Sequence, residues 1–189
     1  IVKRESDSCD NFLGVTGSSC KLFSSKVLGT IKFPLDITFA EATCFNLQLL
    51  DNCNKIVYIS DVFYHYRYGD SSLCHKFDVN LIDKIIRLDN WYFDYAQNKK
   101  ETLFNQALDV YVLKNSLWVF GYYMTSTKKY DKKNITLALP YINTDLYRNA
   151  NCKENIKKLS KRHKLLYFLY KRKLFFVLRY LYKIKNNAG

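Results

Sequence analysis

The sequence predicts an α/β fold that is mostly helical. Two short runs of β-branched and aromatic residues, 56–59 and 62–66, have the composition of strands. Farther along the chain, apolar residues recur at intervals of three and four, which is the period of a helix with one buried face. We therefore expect three parts: residues 1–77 with the strands, residues 78–150 as a helical subdomain, and residues 151–189 as a basic amphipathic tail.

Length and composition suit one domain with an appendage. Of the 189 residues, 48% are hydrophobic and 16% are aromatic, which is enough for a buried core and argues against disorder. The six cysteines include no Cys-x-x-Cys pair and no metal-ligand spacing with the three histidines. We expect reduced, mostly buried thiols in a cytoplasmic protein, with neither a structural zinc site nor a disulfide framework.

The net charge of +13 is concentrated near the end of the chain. Between Lys153 and Lys185 there are twelve lysines and arginines and a single acid, Glu154. The other residues include 18 basic and 16 acidic side chains and are close to neutral. The basic character therefore belongs to the tail.

Two helices are predicted before the strands. Residues 21–28 have helical apolar spacing, and Gly29 ends the segment. Thr38 is placed to cap the second helix, with Glu41 three residues later as its capping-box partner. The apolar face of this helix has residues at intervals of four, Phe45, Leu49 and Cys53.

The second part of the chain predicts three helices. Residues 81–95 carry apolar side chains at steps of three and four. Residues 101–125 are apolar on most sides, which is typical of a helix buried in a bundle or against a sheet. A polar linker, 127–133, leads to a third helix, 134–150, which Pro140 is expected to break.

Several short motifs occur in an order that is typical of one enzyme family. Lys21-Leu22-Phe23 opens the first predicted helix, and Ala40-Glu41-Ala42 opens the second. Tyr64-His65-Tyr66-Arg67 lies in the strand-like region, with Ser71-Ser72 close behind. This order resembles the acceptor-side half of bacterial family 2 glycosyltransferases with the GT-A fold. Those enzymes have a Lys-Leu-Phe helix, a Gly-Glu-Asp box and a Tyr-x-Tyr-Arg segment, and the resemblance covers residues 21–72.

The resemblance implies sugar transfer from a nucleotide-sugar donor to a glycan or lipid-linked acceptor, in the assembly of cell-surface polysaccharide. It also implies Mg²⁺ or Mn²⁺ in the complete enzyme. The donor-binding half, with its metal-binding Asp-x-Asp, is missing from this sequence, which opens at Ile1. We therefore expect the C-terminal part of a glycosyltransferase, which needs no cofactor by itself and does not turn over alone.

The Gly-Glu-Asp box is degenerate in this chain. The family's Asp is the general base, and its place is taken by Ala42, which cannot accept a proton. General base catalysis typically contributes ~10²–10⁴-fold in rate. Either the protein never needed a base here, or the chain is a degenerate copy, which is the reading we favour. Glu41 matches a residue at the family's acceptor cleft and also suits a capping role, and the two roles are compatible.

The strand-like segment supplies the candidates for the donor side. His65 and Arg67 share one face if residues 64–68 form a strand, and Arg67 can offer paired donors to a diphosphate. The resemblance implies that Arg67 binds the donor phosphate and that His65 completes the coordination shell of the metal ion. It also aligns Ser71 with a loop serine of the family. The alternative for His65 is a packed or solvent-facing side chain, and no residue is assigned as a certain metal ligand.

The tail combines apolar runs with basic residues. The runs 165–170 and 174–178 are separated by Lys171-Arg172-Lys173, and neither approaches the ~20 apolar residues of a membrane span. This pattern predicts that residues 156–185 form a helix in the headgroup layer of an anionic membrane, on the inner face of the cell membrane. The predicted membrane contacts are Lys171, Arg172, Lys173, Phe175 and Phe176.

Two alternatives for the tail remain open at this point. A basic amphipathic helix can also dock on its own domain. Nucleic-acid binding would suit the charge but would leave the aliphatic side chains unused, so we expect no nucleic-acid partner. The rival function for the whole chain is a non-catalytic membrane-surface interaction module, which kept the scaffold and lost the chemistry.

Overall fold

The computed structural model describes residues 21–57, 77–99, 102–127 and 131–187. Every regular element among these residues is a helix, and helices make up 73% of them. The prediction of a mostly helical chain is therefore confirmed.

The predicted strands fall almost entirely outside the described residues. Ile56 and Val57, at the start of the first run, have no regular secondary structure. The rest of that run and all of 62–66 are outside the described part of the chain. The α/β character and the GT-A fold therefore stay predictions.

The chain divides into two compact units, residues 1–76 and 77–189. This division lies one residue from the first boundary expected from the sequence. The described part of the first unit contains α1 (Ser25–Leu28) and α2 (Glu41–Asp51). The described part of the second unit contains α3 (Leu81–Lys99), α4 (Thr102–Thr125), α5 (Lys132–Ile142), α6 (Asp145–Ala150), α7 (Lys153–Lys158), α8 (Lys161–Lys171) and α9 (Phe175–Asn187).

In the first unit, α1 is shorter than the predicted helix 21–28. It starts at Ser25 because the Ser24 hydroxyl accepts a hydrogen bond from the Lys26 N–H at 3.3 Å, which caps the helix there. α2 is held by its aromatic residue Phe45. The Phe45 ring stacks on that of Phe33, with centroids 4.1 Å apart. The Phe23 ring meets the Phe45 ring edge-on, with centroids 6.2 Å apart.

The second unit is built around α4. This helix contacts each of the other described helices of the unit, α3 and α5 to α9. Its buried residues lie on most sides and leave Trp118 exposed on the remaining one, so the prediction of a helix buried in a bundle is confirmed. They are Leu108, Val110, Val112, Leu113, Ser116, Leu117, Val119, Phe120, Gly121, Tyr123 and Met124.

Two tyrosines near the end of α4 fix the start of α3. The Tyr122 hydroxyl accepts a hydrogen bond from the Asp78 N–H at 2.6 Å. The Tyr123 hydroxyl donates to the Val79 carbonyl at 3.0 Å and accepts from the Ile82 N–H at 3.1 Å. One N–H of the first turn of α3, at Ile82, and two backbone groups of the segment before it are therefore paired with side chains of α4.

Residues 132–150 form two helices, and the break is not at Pro140. α5 runs through Pro140 to Ile142, although Pro140 has no N–H to donate to the carbonyl four residues earlier. The chain turns at Asn143 and Thr144, where the Thr144 hydroxyl accepts from the Tyr147 N–H at 3.2 Å and caps α6. The predicted polar linker also ends earlier than expected, because α5 begins at Lys132.

The tail is helical, as predicted for residues 156–185, but it forms three helices and not one continuous helix. The first break lies at Leu159, whose backbone is extended, and Ser160 then caps α8. The second lies at residues 172–174 between α8 and α9. All three tail helices, α7, α8 and α9, pack against α4 in the same compact unit.

Two side chains of α9 reach the backbone of α4. The Arg179 guanidinium is buried and donates from Nε to the Met124 carbonyl at 2.8 Å and from Nη2 to the Thr127 carbonyl at 2.6 Å. A cation suits this place, because the carbonyl end of a helix carries partial negative charge. The Tyr182 hydroxyl donates to the Leu117 carbonyl at 2.6 Å. These bonds determine which face of α9 is buried.

Gly121 is required where Tyr182 lies on α4. A Cβ atom at Gly121 would lie 2.5 Å from Cε1 of the Tyr182 ring. We expect Gly121→Val to lower the free energy of unfolding by about 2 kcal/mol, since overpacking forces ring and helix apart. Denaturant unfolding measures the loss. In a Tyr182→Leu background the valine should cost clearly less, and an equal cost in both backgrounds would show that the ring is not the cause.

Candidate functional site

The candidate residues fall into three groups. Glu41 and Ala42 lie in the first unit, at the start of α2. The predicted membrane contacts, residues 171–176, lie in the second unit at the turn between α8 and α9. His65, Arg67 and Ser71 lie outside the described residues.

The start of α2 differs from the predicted capping box. Ala40 precedes the first helical residue and has φ 55° and ψ 27°, the left-handed conformation. An alanine offers no side-chain oxygen to the helix, and Thr38 is exposed two residues outside the capping position. The capping role predicted for Thr38 is therefore wrong. Glu41 is the first residue of α2, where its negative charge stabilises the positive end of the helix dipole.

The thiol next to this helix start is not a nucleophile. Cys44 is fully buried, and this burial raises its pKa to about 12, with smaller contributions from the charges of Glu41 and Asp36. Only a thiolate reacts readily, so Cys44 is a packing residue. It is a free cysteine, as are the half-buried Cys53 and Cys152.

The backbone of Ala40 gives a stability prediction. A left-handed residue with a Cβ atom costs ~1–2 kcal/mol, whereas glycine adopts this conformation freely. We expect Ala40→Gly to raise the free energy of unfolding by about 1 kcal/mol, measured by denaturant unfolding. Ala42→Gly is the matched control, because the same change inside α2 should lower stability by up to about 1 kcal/mol. Equal effects of the two variants would contradict the left-handed conformation.

α8 and α9 expose large apolar side chains. On α9, Phe176 is 74% exposed and Tyr180 62% exposed. Val177 and Ile184 lie on the same side of α9 as Phe176 and Tyr180. At 3.6 residues per turn, these four positions fall within an arc of about 100° around the helix axis. Leu178 and Arg179 are buried on the opposite side. We call the exposed residues the α8–α9 surface: Leu165, Phe168, Lys171, Arg172, Lys173, Phe176, Val177, Tyr180 and Ile184.

The basic residues of this surface lie at the turn between the helices. Lys171, Arg172 and Lys173 are all exposed. The Arg172 guanidinium lies 5.4 Å from the ring centroid of Phe168, which places a cation over an exposed aromatic ring. Phe175, predicted as a membrane contact, is half-buried, with its ring 6.4 Å from that of Tyr170.

The turn has the hydrogen bonds of a Schellman motif. The Lys173 N–H donates to the Tyr170 carbonyl and the Leu174 N–H to the Leu169 carbonyl, both at 2.9 Å. Lys173 has φ 56°, in the position that glycine usually occupies in this motif. The chain thus keeps a cation at a place where glycine is conformationally favoured.

Among the described residues, no acidic side chain pairs with the cations of this turn. From Lys161 to Asn187 the sequence contains no Asp or Glu. Within the described part of the chain, no carboxylate is recorded as an ion-pair partner of Lys171, Arg172 or Lys173. The surface therefore presents unneutralised positive charge beside exposed apolar area.

A groove of 230 Å³ opens beside the same turn. Its walls come from α4, α5, α8 and α9, and its two cations come from the turn. The lining residues are Phe120, Leu139, Ile142, Tyr170, Lys171, Lys173 and Phe175. Leu139 and Ile142 were not predicted to belong to this site, because residues this far from the tail along the chain share no sequence pattern with it and meet it only when the helices pack.

None of the described helices has the length and hydropathy needed to cross a membrane. No group of three His, Cys, Asp or Glu within the described ranges is arranged to hold a metal ion such as Mg²⁺ or Mn²⁺.

Comparison with protein-family models, with curated proteins and with solved structures found no match.

Proposed function

We propose that this chain is the acceptor-side part of a glycosyltransferase that works on the inner face of the cell membrane, and that α8 and α9 attach it to anionic lipids there. The observation that carries the proposal is the α8–α9 surface, where exposed apolar side chains of α8 and α9 precede and follow the three cations 171–173 along the chain. Helices of this kind lie in the headgroup layer with their apolar face buried ~5–10 Å deep.

The two sides of α9 have separate roles in this proposal. Leu178, Arg179 and Tyr182 hold the helix on α4. Phe176 and Tyr180 are left on the outside. Docking on the chain's own second unit and binding to a bilayer are therefore compatible, because they use different faces. Each basic side chain near an anionic surface contributes ~1 kcal/mol, and the apolar side chains add the free energy of their burial.

Point substitutions on this surface test the attachment better than truncation at Asn151. Deleting α7 to α9 would remove helices that pack on α4 and would uncover buried residues such as Phe120. A truncated chain that fails to bind vesicles would then be indistinguishable from an unfolded one. Co-sedimentation of charge-reversed variants with lipid vesicles is the test we propose.

The start of α2 supports the glycosyltransferase part of the proposal. The resemblance aligns Ala40 with the glycine of the family's Gly-Glu-Asp box, and Ala40 has the left-handed backbone that favours glycine. Glu41 then occupies the first position of the helix, as the order of the box requires. The nucleotide-sugar donor, the glycan or lipid-linked acceptor and the metal ion of the complete enzyme belong to this proposal.

A non-catalytic membrane-surface module is the second candidate, and Ala42 is the observation that favours it. Its methyl group occupies the position of the family's general base and cannot accept a proton. In a protein that carries a donor-binding half, we expect Ala42→Asp to raise sugar transfer by about tenfold or more, because a base contributes ~10²–10⁴-fold. Transfer from a radiolabelled nucleotide sugar is the measurement.

Ala42→Asn is the matched control for that experiment, because it has nearly the same size and no basic oxygen. Equal transfer by the Asp and Asn variants would mean that no base acts at position 42. Absence of transfer in every variant would favour the non-catalytic module.

A further inference from the structure

We infer that the groove at the α8–α9 turn binds one anionic phospholipid, with the lipid phosphate between Lys171 and Lys173 and the first part of one acyl chain against the apolar walls. The inference rests on the proposed membrane attachment for the source of the lipid. It adds a discrete, saturable site to what would otherwise be a diffuse attraction between charged surfaces.

The walls of the groove suit a short hydrocarbon segment. Phe120 is fully buried beneath it, and the ring of Tyr170 lies 4.7 Å from that of Phe120. Leu139 is 40% exposed at the side formed by α5. The volume of 230 Å³ exceeds the ~150 Å³ of an apolar cavity that holds benzene, so a few methylene groups fit and a whole acyl chain does not. The remainder of the chain would stay in the bilayer.

The cations of the groove suit a phosphate. Lys171 ends α8, and Lys173 follows two residues later in the left-handed conformation. Both ammonium groups belong to exposed side chains that line the groove. Lysine binds phosphate as a compact point charge and needs no fixed bidentate geometry, which suits flexible side chains at a groove edge.

The same lining disfavours a peptide as the occupant. A peptide bound in the groove would bury backbone N–H and C=O groups. Apart from the two lysines, the residues that line the walls are aromatic or aliphatic and offer these groups few polar partners. Burying such groups without hydrogen bonds is costly, whereas an acyl chain has none to bury. Apolar walls next to two cations are therefore complementary to a lipid with an anionic head.

The test uses a monomeric lipid and the full chain. Dihexanoyl phosphatidylglycerol, kept below its micelle-forming concentration, is titrated into the protein by calorimetry. Saturable one-to-one binding is expected. Leu139→Trp should fill the groove, and Lys171→Gln with Lys173→Gln should remove its cations. Each is expected to weaken binding by about tenfold, the effect of losing a charge-assisted contact or the apolar site.

Two variants serve as matched controls. Leu103→Trp places the same side chain at an 80% exposed leucine of α4 outside the groove. Lys153→Gln with Lys157→Gln removes the same charge from exposed positions of α7. Both should bind the monomeric lipid as the unchanged protein does. Equal weakening by the control pair would show that net charge, and not the groove, determines binding, and would overturn the inference.

The ligand series separates the remaining outcomes. Inorganic phosphate and zwitterionic dihexanoyl phosphatidylcholine should both bind at least about tenfold more weakly than the anionic lipid. If phosphate bound as tightly as the anionic lipid, the groove would be an anion site without a role for the acyl chain, and the inference would be overturned. If the zwitterionic lipid bound as tightly, the lysines would not contribute to lipid binding, which would also overturn it. Vesicle binding without monomer binding overturns the groove site and leaves the proposed attachment. Monomer binding without vesicle binding supports the groove and overturns the attachment.

Discussion

Replacing Lys171, Arg172 and Lys173 with glutamate is expected to lower the affinity of the protein for anionic vesicles by more than about a hundredfold. Each cation near the bilayer contributes ~1 kcal/mol, so losing three costs ~3 kcal/mol, and 1.4 kcal/mol corresponds to a factor of ten. Reversing the charge adds repulsion to that loss. The three side chains are exposed, so the fold should be unchanged. Co-sedimentation over a range of lipid concentrations measures the affinity.

The matched control reverses three exposed lysines of α7, Lys153, Lys157 and Lys158. This variant has the same net charge as the first, but its substitutions lie outside the α8–α9 surface. We expect it to retain most of the binding. If both triple variants lost affinity equally, the attraction would be a property of the whole basic tail and not of the turn between α8 and α9.

The second large effect concerns a buried carboxyl group in the core of the second unit. Asp89 of α3 is 2% exposed and accepts hydrogen bonds from the Asn115 amide of α4 at 3.3 and 3.4 Å. The Tyr141 hydroxyl of α5 donates to the same carboxyl group, and Tyr111 of α4 is a further hydrogen-bond partner. Asp89 therefore joins three helices through polar contacts inside an apolar core.

Burial raises the pKa of Asp89 to about 7, although the hydrogen bonds from Tyr141, Asn115 and Tyr111 act in the opposite direction. In the unfolded chain this pKa is about 3.9. Between these values the unfolded state loses the proton and the folded state keeps it. The free energy of unfolding contributed by this group is therefore fully present below about pH 4 and is lost as the pH rises to about 7.

Asp89→Asn should remove that pH dependence. The difference in unfolding free energy between the variant and the unchanged protein should shift in the variant's favour by on the order of 4 kcal/mol from about pH 4 to about pH 7. The asparagine side chain would keep an oxygen as acceptor for Tyr141. Denaturant unfolding at several pH values measures the shift. Asp94→Asn, at an exposed position of the same helix, is the control and should show no comparable trend. A flat difference for Asp89→Asn would contradict a protonated carboxyl group in the core.

The sequence predicted those parts of the fold that depend on local periodicity. The ends of α3 and α4 were predicted to within a few residues. Both are long segments with many apolar residues, and such segments are the most reliably recognised as helices from sequence. The boundaries of short helices were less accurate. At α2, the predicted cap Thr38 was displaced because Ala40 takes a left-handed conformation, which its side chain does not signal. At α5, the helix continues through Pro140 and ends at Ile142, so the proline did not mark the break.

The tail shows why the candidate site was predicted only in part. The basic and apolar residues were recognised from composition, and Lys171, Arg172, Lys173 and Phe176 are indeed exposed. Phe175 is half-buried, with its ring 6.4 Å from that of Tyr170 on the preceding helix. The groove walls of α4 and α5 depend on tertiary packing, which periodicity does not encode. The roles proposed for His65, Arg67 and Ser71 remain predictions from the resemblance.

The central claim is that the α8–α9 surface attaches this protein to anionic membranes. Co-sedimentation of the unchanged protein with neutral and with anionic vesicles, at low and at physiological salt, tests it most directly. We expect binding to anionic vesicles that weakens as salt rises, since charges at the surface are screened within ~8 Å at physiological ionic strength. Neutral vesicles should bind much less. Equal binding to both kinds of vesicle, or no binding to either, would contradict the claim.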